Sequence, residues 1–205
     1  MLQQGVPRIV DHAARRQELA EALWRVVRRD GLAAVSVRTV ALEAGTSPGS
    51  LRHYFATQDE LLGFALASVV DRATARIAPL MKAPPSPAGV ERVLEEFLPL
   101  DEERREEVEV YLAFALRALV DPALRRLRDS AEEQSRVVVH RCAQVLADTA
   151  SLGTGRSVDD EGLLLWHLID GLALHGTLWP DRYPPAALRA VLRAHLDQLS
   201  VPLAR

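Results

Sequence analysis

Apolar side chains recur along this chain at intervals of three and four residues, and no stretch alternates apolar and polar positions as a half-buried strand would. Leu19, Leu23, Val26 and Val27 share one face, Asp11 offers an N-cap and Gly31 a C-terminal stop, which predicts a first helix over residues 12–30. Val37, Val40, Ala41 and Ala44 predict a short helix over 37–44, with Ser36 as its cap. Gly45 then supplies the freedom a tight turn needs. Ser47 and Pro48 open another short helix, to about Tyr54, with Leu51, Tyr54 and Phe55 turned inward and Ser50, Arg52 and His53 on another face. Thr57-Gln58-Asp59-Glu60 reads as a capping box, which starts a long helix to about Ile77. Prolines 84, 85 and 87 interrupt the pattern, and five further helices follow at about 89–98, 102–120, 122–150, 159–179 and 185–199. The expected fold is all-α, with about nine helices. A three-helix head over 1–56 precedes a helical domain over 57–205, and residues 57–80 form the connecting helix.

Composition agrees: 48% hydrophobic residues, 26% charged and 5% aromatic describe a globular chain that packs helices on helices. The net charge of −3 hides an asymmetry. Residues 1–55 carry eight Arg against five acids, and the remainder carries 17 basic against 23 acidic residues. A basic head on an acidic body suits a module that meets phosphates. The single cysteine, Cys142, excludes an intramolecular disulfide. No apolar run reaches the roughly 18 residues needed to span a bilayer, and residues 1–10 lack a signal-peptide core. The expected location is the cytoplasm, on the nucleoid when bound to DNA, with no membrane partner.

Two short helices joined by a glycine-containing turn form a helix-turn-helix, whose second helix can enter a major groove. On the segment from Pro48 to Tyr54, Arg52 can read guanine O6 and N7 or pair with a phosphate, and Ser50 and His53 can touch base edges or phosphates. Helix starts at Ser36, Ser47 and Thr57 offer free N–H groups to phosphates. Phe55 reads as core, and the Tyr54 ring as core with its hydroxyl toward a phosphate.

Residues 36–62 resemble the DNA-binding signature of the TetR family of bacterial repressors, over roughly 11–65 in all, and Leu51-Arg52-His53-Tyr54-Phe55 is similar to the choline-responsive regulators of betaine synthesis within it. The resemblance implies a cytoplasmic homodimer that represses from a palindromic double-stranded operator and is released by a small-molecule effector in the C-terminal domain. It implies DNA contacts from Ser36, Arg38 and Thr39, from Thr46, Ser47, Gly49, Ser50, Arg52, His53 and Tyr54, and from Thr57 and Gln58. The family often has Lys where this chain has Gln58, which implies one phosphate charge fewer.

In the body, Leu188, Leu192, His195 and Leu199 fall at heptad-like spacing beside Val191 and Leu196. The 159–179 segment, with Leu164, Leu168 and Leu172, is apolar nearly all round. Two such helices need more cover than one chain supplies, so both are expected in a dimer interface. Trp166, His167, Asp170, His175 and Trp179, with Phe64, Tyr111, Phe114 and His140 from other helices, are candidates for lining an effector cavity. His167, Asp170 and His175 lack the spacing of a helical metal pair, so no metal and no cofactor is expected. No nucleophile–base constellation or phosphate-cradling loop suggests an enzyme. Two rivals remain at this level: a helical ligand carrier or enzyme with a structural head, and an architectural protein that binds any DNA.

Overall fold

The structure is a computed structural model, and it describes residues 12–201. Asp11, the expected first N-cap, lies outside the described residues. Among those residues there are nine α-helices and no strand. They are α1 (His12–Asp30), α2 (Val37–Glu43), α3 (Pro48–Arg52), α4 (Gln58–Lys82), α5 (Pro87–Glu95), α6 (Glu102–Val120), α7 (Pro122–Asp148), α8 (Val158–Leu178) and α9 (Pro185–Leu199). A short 3-10 turn at Leu32–Ala34 follows α1. The chain divides into two compact units, a head through Ala65 and a body from Leu66 on.

In the head, Leu19, Leu23, Trp24, Val26, Val40, Ala41 and Leu51 are buried together with Phe55, Leu61 and Phe64. The Phe55 and Phe64 rings pack at 4.8 Å between centroids. Fully burying a Leu or Phe side chain contributes about 1.5–3 kcal/mol each, so this cluster is the main apolar contribution to holding the head's helices together. Gly45, at φ +62°, turns the chain between α2 and α3 in a conformation that a side chain would strain.

In the body, α4 continues to Lys82, past the expected end near Ile77 and through Pro79. The missing N–H at Pro79 costs only the bond to the Ala75 carbonyl, and both residues lie on an exposed face where water can serve it. The core gathers Ile77, Val90, Leu94 and Leu98 with Val139, Cys142, Leu165, Ile169, Leu188, Leu192 and Leu199. Burial pushes the Cys142 thiol up to about 12. Gly176 leaves room for its neighbours: a Cβ there would sit 2.6 Å from Leu188 Cδ1 and 2.8 Å from Pro99 Cγ.

That core changes the picture of α9. Leu188, Leu192 and Leu199, expected in a dimer interface, are buried within the protomer, and Leu172 and Leu196 pack partly against the same core. The heptad-like spacing therefore records packing inside one chain. Leu164 on α8 and Val191 on α9, from the expected set, remain outward as exposed apolar residues, and they are joined by Leu163, Leu174 and Leu178 on α8 and Trp179 at its C-cap. Leu168 and His195 are half-buried. No helix of the described residues is long and apolar enough to cross a membrane.

Candidate DNA-reading head and effector cavity

The head's helix starts are built from short polar side chains. The Thr39 amide donates to Ser36 Oγ at 3.1 Å, and the Ser36 amide donates back to Thr39 Oγ1 at 2.9 Å. The Thr39 hydroxyl donates in turn to the Ala34 carbonyl at 2.7 Å. Ser47 Oγ accepts from the Ser50 amide at 3.0 Å and closes the start of α3. Thr57 Oγ1 accepts from the Glu60 amide at 3.1 Å, and Glu60 Oε2 accepts from the Ala56 amide at 2.7 Å, one residue earlier than a standard capping box. The Gln58 side-chain amide donates to the Val35 carbonyl at 2.6 Å, so it ties the start of α4 to the loop before α2. These hydroxyls and this amide are engaged in shaping the head.

The forked and ring donors are differently placed. Arg38, Arg52 and His53 are exposed, and among the described residues Arg38 and Arg52 form no ion pair. Ser47, Gly49 and Thr57 are exposed beside them, while Thr46, Ser50 and Tyr54 are half-buried. Leu51 anchors the inner side of α3 at 1% exposure, which turns Arg52 outward. Glu43, at the end of α2, is held by arginines of α1: Arg25 Nε donates to Glu43 Oε1 and Arg29 NH1 to Glu43 Oε2, both at 2.7 Å. Hydrogen bonds from Arg25, then Arg29, keep its carboxyl below the ordinary range.

The body contains a cavity of about 450 Å³ between α4, α6, α7 and α8. Its wall is mostly apolar and aromatic, with Val70, Ala73, Ile77, Phe97, Tyr111, Trp166 and Ile169. Polar groups enter from Thr74, Glu96, Arg104, Glu107, Glu133, Gln134, Ser135 and Asp170. Glu96 and Glu107 are neutralised by arginines, and Glu133 by Arg136 at 2.9 Å. Asp170 has no Arg or Lys partner among the described residues. It is solvent-exposed, but enclosure by protein, and then the nearby Glu132, raise its carboxyl above the ordinary range against the opposing pull of His167. Burial, and then Asp170, raise the Tyr111 phenol.

Of the nine residues expected around a cavity, the structure brings together Tyr111, Trp166 and Asp170. Phe64 belongs to the head core, with the Arg16 guanidinium 5.6 Å from its ring. Phe114 is fully buried and does not line the cavity. His140 Nε2 lies 2.9 Å from Asp159 Oδ1, and His167 Nδ1 lies 2.8 Å from the Leu163 carbonyl. His175 stacks on Tyr183 at 5.4 Å and meets Trp179 edge-on at 5.5 Å. Helical geometry explains the split: 166, 169, 170 and 173 share one face of α8, and 163, 167, 174 and 178 share the other. The wall missed by the sequence reading is α4, where Val69, Val70, Ala73, Thr74 and Ile77 recur at helical spacing beyond what the head core uses. Among the described residues, no group of three His, Cys, Asp or Glu is arranged to hold a metal.

Comparison with known proteins agrees with both units. Residues 19–63 match the family described as bacterial regulatory proteins, tetR family. Residues 87–201 match the BetI-type transcriptional repressor C-terminal family. The HTH-type transcriptional regulator PksA of Bacillus subtilis (strain 168) is 35% identical over 200 residues, which span 96% of this chain and 95% of that protein. The crystal structure of a transcriptional regulator from Rhodococcus sp. Rha1 is 34% identical, with a TM-score of 0.74 over 90% of this chain and 95% of that one. The multidrug binding protein EbrR, solved with imidazole, is 32% identical, with a TM-score of 0.60 over 93% of this chain and 97% of that one. The chain belongs to the TetR family of helix-turn-helix transcriptional regulators, in its BetI-like group, as a ligand-responsive DNA-binding repressor.

Proposed function

We propose that this repressor acts in the cytoplasm, not as an enzyme, but as a homodimer that holds its operator through Arg52, His53, Ser50 and Arg38 and lets go when a hydrophobic organic cation fills the body cavity. The observation that carries the effector class is Asp170. It is a carboxylate with no Arg or Lys partner among the described residues, set in a wall with Trp166, Tyr111 and Phe97. Such a wall offers a cation both an unpaired negative charge and ring faces, worth about 0.5–2 kcal/mol per ring contact. That EbrR is a multidrug binding protein supports the reading.

The exposed apolar residues Leu163, Leu164, Leu174, Leu178 and Val191 of α8 and α9 supply the dimer surface in this reading. Two copies then present their α3 helices about 34–36 Å apart, one turn of duplex DNA, which accounts for an inverted-repeat operator. Arg52 carries direct readout, and Arg38 a phosphate contact. The cap hydroxyls of Ser36 and Thr39 contribute by fixing the shape of the head.

The test uses the full-length protein, a duplex selected from a random pool, and tetraphenylphosphonium beside its neutral analogue triphenylphosphine oxide. Calorimetry is expected to find binding of the cation and not of the neutral compound, and Asp170→Asn to weaken it by about 1–2 kcal/mol. The affinity should rise with pH as Asp170 ionises, at a pH higher than an ordinary aspartate requires, and that slope should vanish in Asp170→Asn. Arg52→Ala should cost about 1–3 kcal/mol of operator affinity at an unchanged melting temperature. Equal binding of the charged and neutral compounds would refute the cation reading.

A further inference from the structure

α4 is one uninterrupted helix, and it carries residues of both compact units: 58–65 belong to the head and 66–82 to the body. Within the body it is fastened by a charged cluster rather than by apolar packing alone. Arg76 Nε donates to Glu96 Oε2 at 2.7 Å, and its two terminal nitrogens donate to Glu107 Oε1 and Oε2 at 2.9 and 2.6 Å. Arg72 Nε donates to the same Glu107 Oε1 at 2.8 Å, and its terminal nitrogen pairs with Glu103. Glu96 also accepts from Arg104 at 3.0 Å.

Two features make this cluster more than a surface decoration. Glu107 is nearly buried, with 5% of its side chain exposed, so its charge tolerates no loss of partners. A fork-on-carboxylate contact also fixes direction as well as distance, which apolar contacts do not. The cluster therefore prefers one register of α4 on α6 and resists intermediate ones. Its second feature is position: Glu96, Arg104 and Glu107 line the cavity, whereas Arg76 stands behind them and does not. A cation entering the cavity meets, besides Asp170, the carboxylates of Glu96 and Glu107, already committed to Arg76 and Arg72 of α4 and Arg104 of α6, and competes with those arginines for them.

We propose that Arg76, with Arg72 and Glu107, is a positioning cluster that sets where α4 rests on α6 and thereby sets operator affinity. It touches no DNA. It acts through α4, whose first turns are part of the head that bears α3. Freed from the cluster, α4 visits several settings, only some of which suit the spacing of two operator half-sites, and the apparent affinity falls by that fraction. The competition of a cavity cation for Glu107 rests on the effector reading above; the control of affinity by the cluster does not.

The experiment compares wild type, Arg76→Gln and Arg76→Lys as full-length proteins, at a temperature where thermal melts show all of them folded. Without any ligand, Arg76→Gln is expected to bind the selected operator at least fivefold more weakly. Arg76→Lys, which keeps the charge but loses the fork, should fall between the two and serves alone if the Gln variant does not fold. With tetraphenylphosphonium, calorimetry should find tighter binding to Arg76→Gln than to wild type, since one arginine fewer competes for Glu107, while the cation's effect on operator binding shrinks. Operator affinity within twofold of wild type in the folded Arg76 variants overturns the proposal, whatever the cation does. If the cation leaves wild-type operator binding untouched, the effector reading fails, and the ligand-free comparison still decides the cluster.

Discussion

In the head, the hydroxyls that cap helices spend themselves on near neighbours: Ser36 with Thr39, Ser47 with Ser50, Thr57 with Glu60. In the body, charged side chains reach across the sequence: Arg76 to Glu107, Arg189 to Glu95 at 3.0 Å, Arg193 to Glu91. The first arrangement makes a small rigid reader whose free donors, Arg38 and Arg52, are those not needed for capping. The second makes a container whose walls come from four helices and whose charges link those walls. A reader built from local bonds has one shape. A container held by long-range ion pairs has alternatives, because each pair can be exchanged for another, and a sensor requires that.

The contrast is open to direct attack. The heaviest blow falls on the head core: Leu51→Ala should cost about 2–5 kcal/mol by leaving a cavity under α3. Operator binding should disappear at temperatures where calorimetry still finds cation uptake by the body. Loss of both together would mean that the two units do not stand apart energetically. Next comes the body: Gly176→Ala forces a Cβ against Leu188 and Pro99 and should cost about 1–3 kcal/mol. Differential scanning calorimetry should register a lower melting temperature, with operator affinity of the folded protein within twofold of wild type. The smallest effect is electrostatic. Desolvation holds His195 on α9 below the ordinary histidine value of 6.5, with Glu161 pulling it upward and Arg156 downward. The unfolded chain therefore takes up this proton more readily than the folded one, so stability is lost as pH falls below 6.5 toward the lower folded value. A series of melts should show that decline, and His195→Gln should flatten it.

How far each unit was legible follows from the same contrast. The head could be read because its signals are local. Ser36, Gly45, Ser47-Pro48 and Thr57 each specify a helix end within four residues of themselves. The body's helices could be read too, since their spacing needs only one strand of sequence at a time. The use of their faces could not. On α9 the same periodicity serves a protomer core or a partner helix, and only the positions of Val90, Leu94 and Leu165 settle that Leu188 and Leu192 face inward. On α8 an all-round apolar surface does not say which side meets the cavity. Trp166 and Asp170 differ from His167 and His175 by rotation alone. The Arg72 and Arg76 contacts with Glu107 span 31 residues or more, beyond the reach of any local pattern. Gln58, expected at the DNA surface, is bonded to Val35, a partner 23 residues away.

The burial of Cys142 has a practical consequence. The residue is 1% exposed and burial pushes its thiol up to about 12, so at neutral pH it offers almost no thiolate to alkylating or oxidising reagents. Since the chain has no other cysteine, a thiol placed on the surface becomes the sole reactive one. Leu164→Cys would report through disulfide capture whether two α8 helices meet. A dye on Ser47→Cys would follow the reading head in solution without removing any native residue from the core.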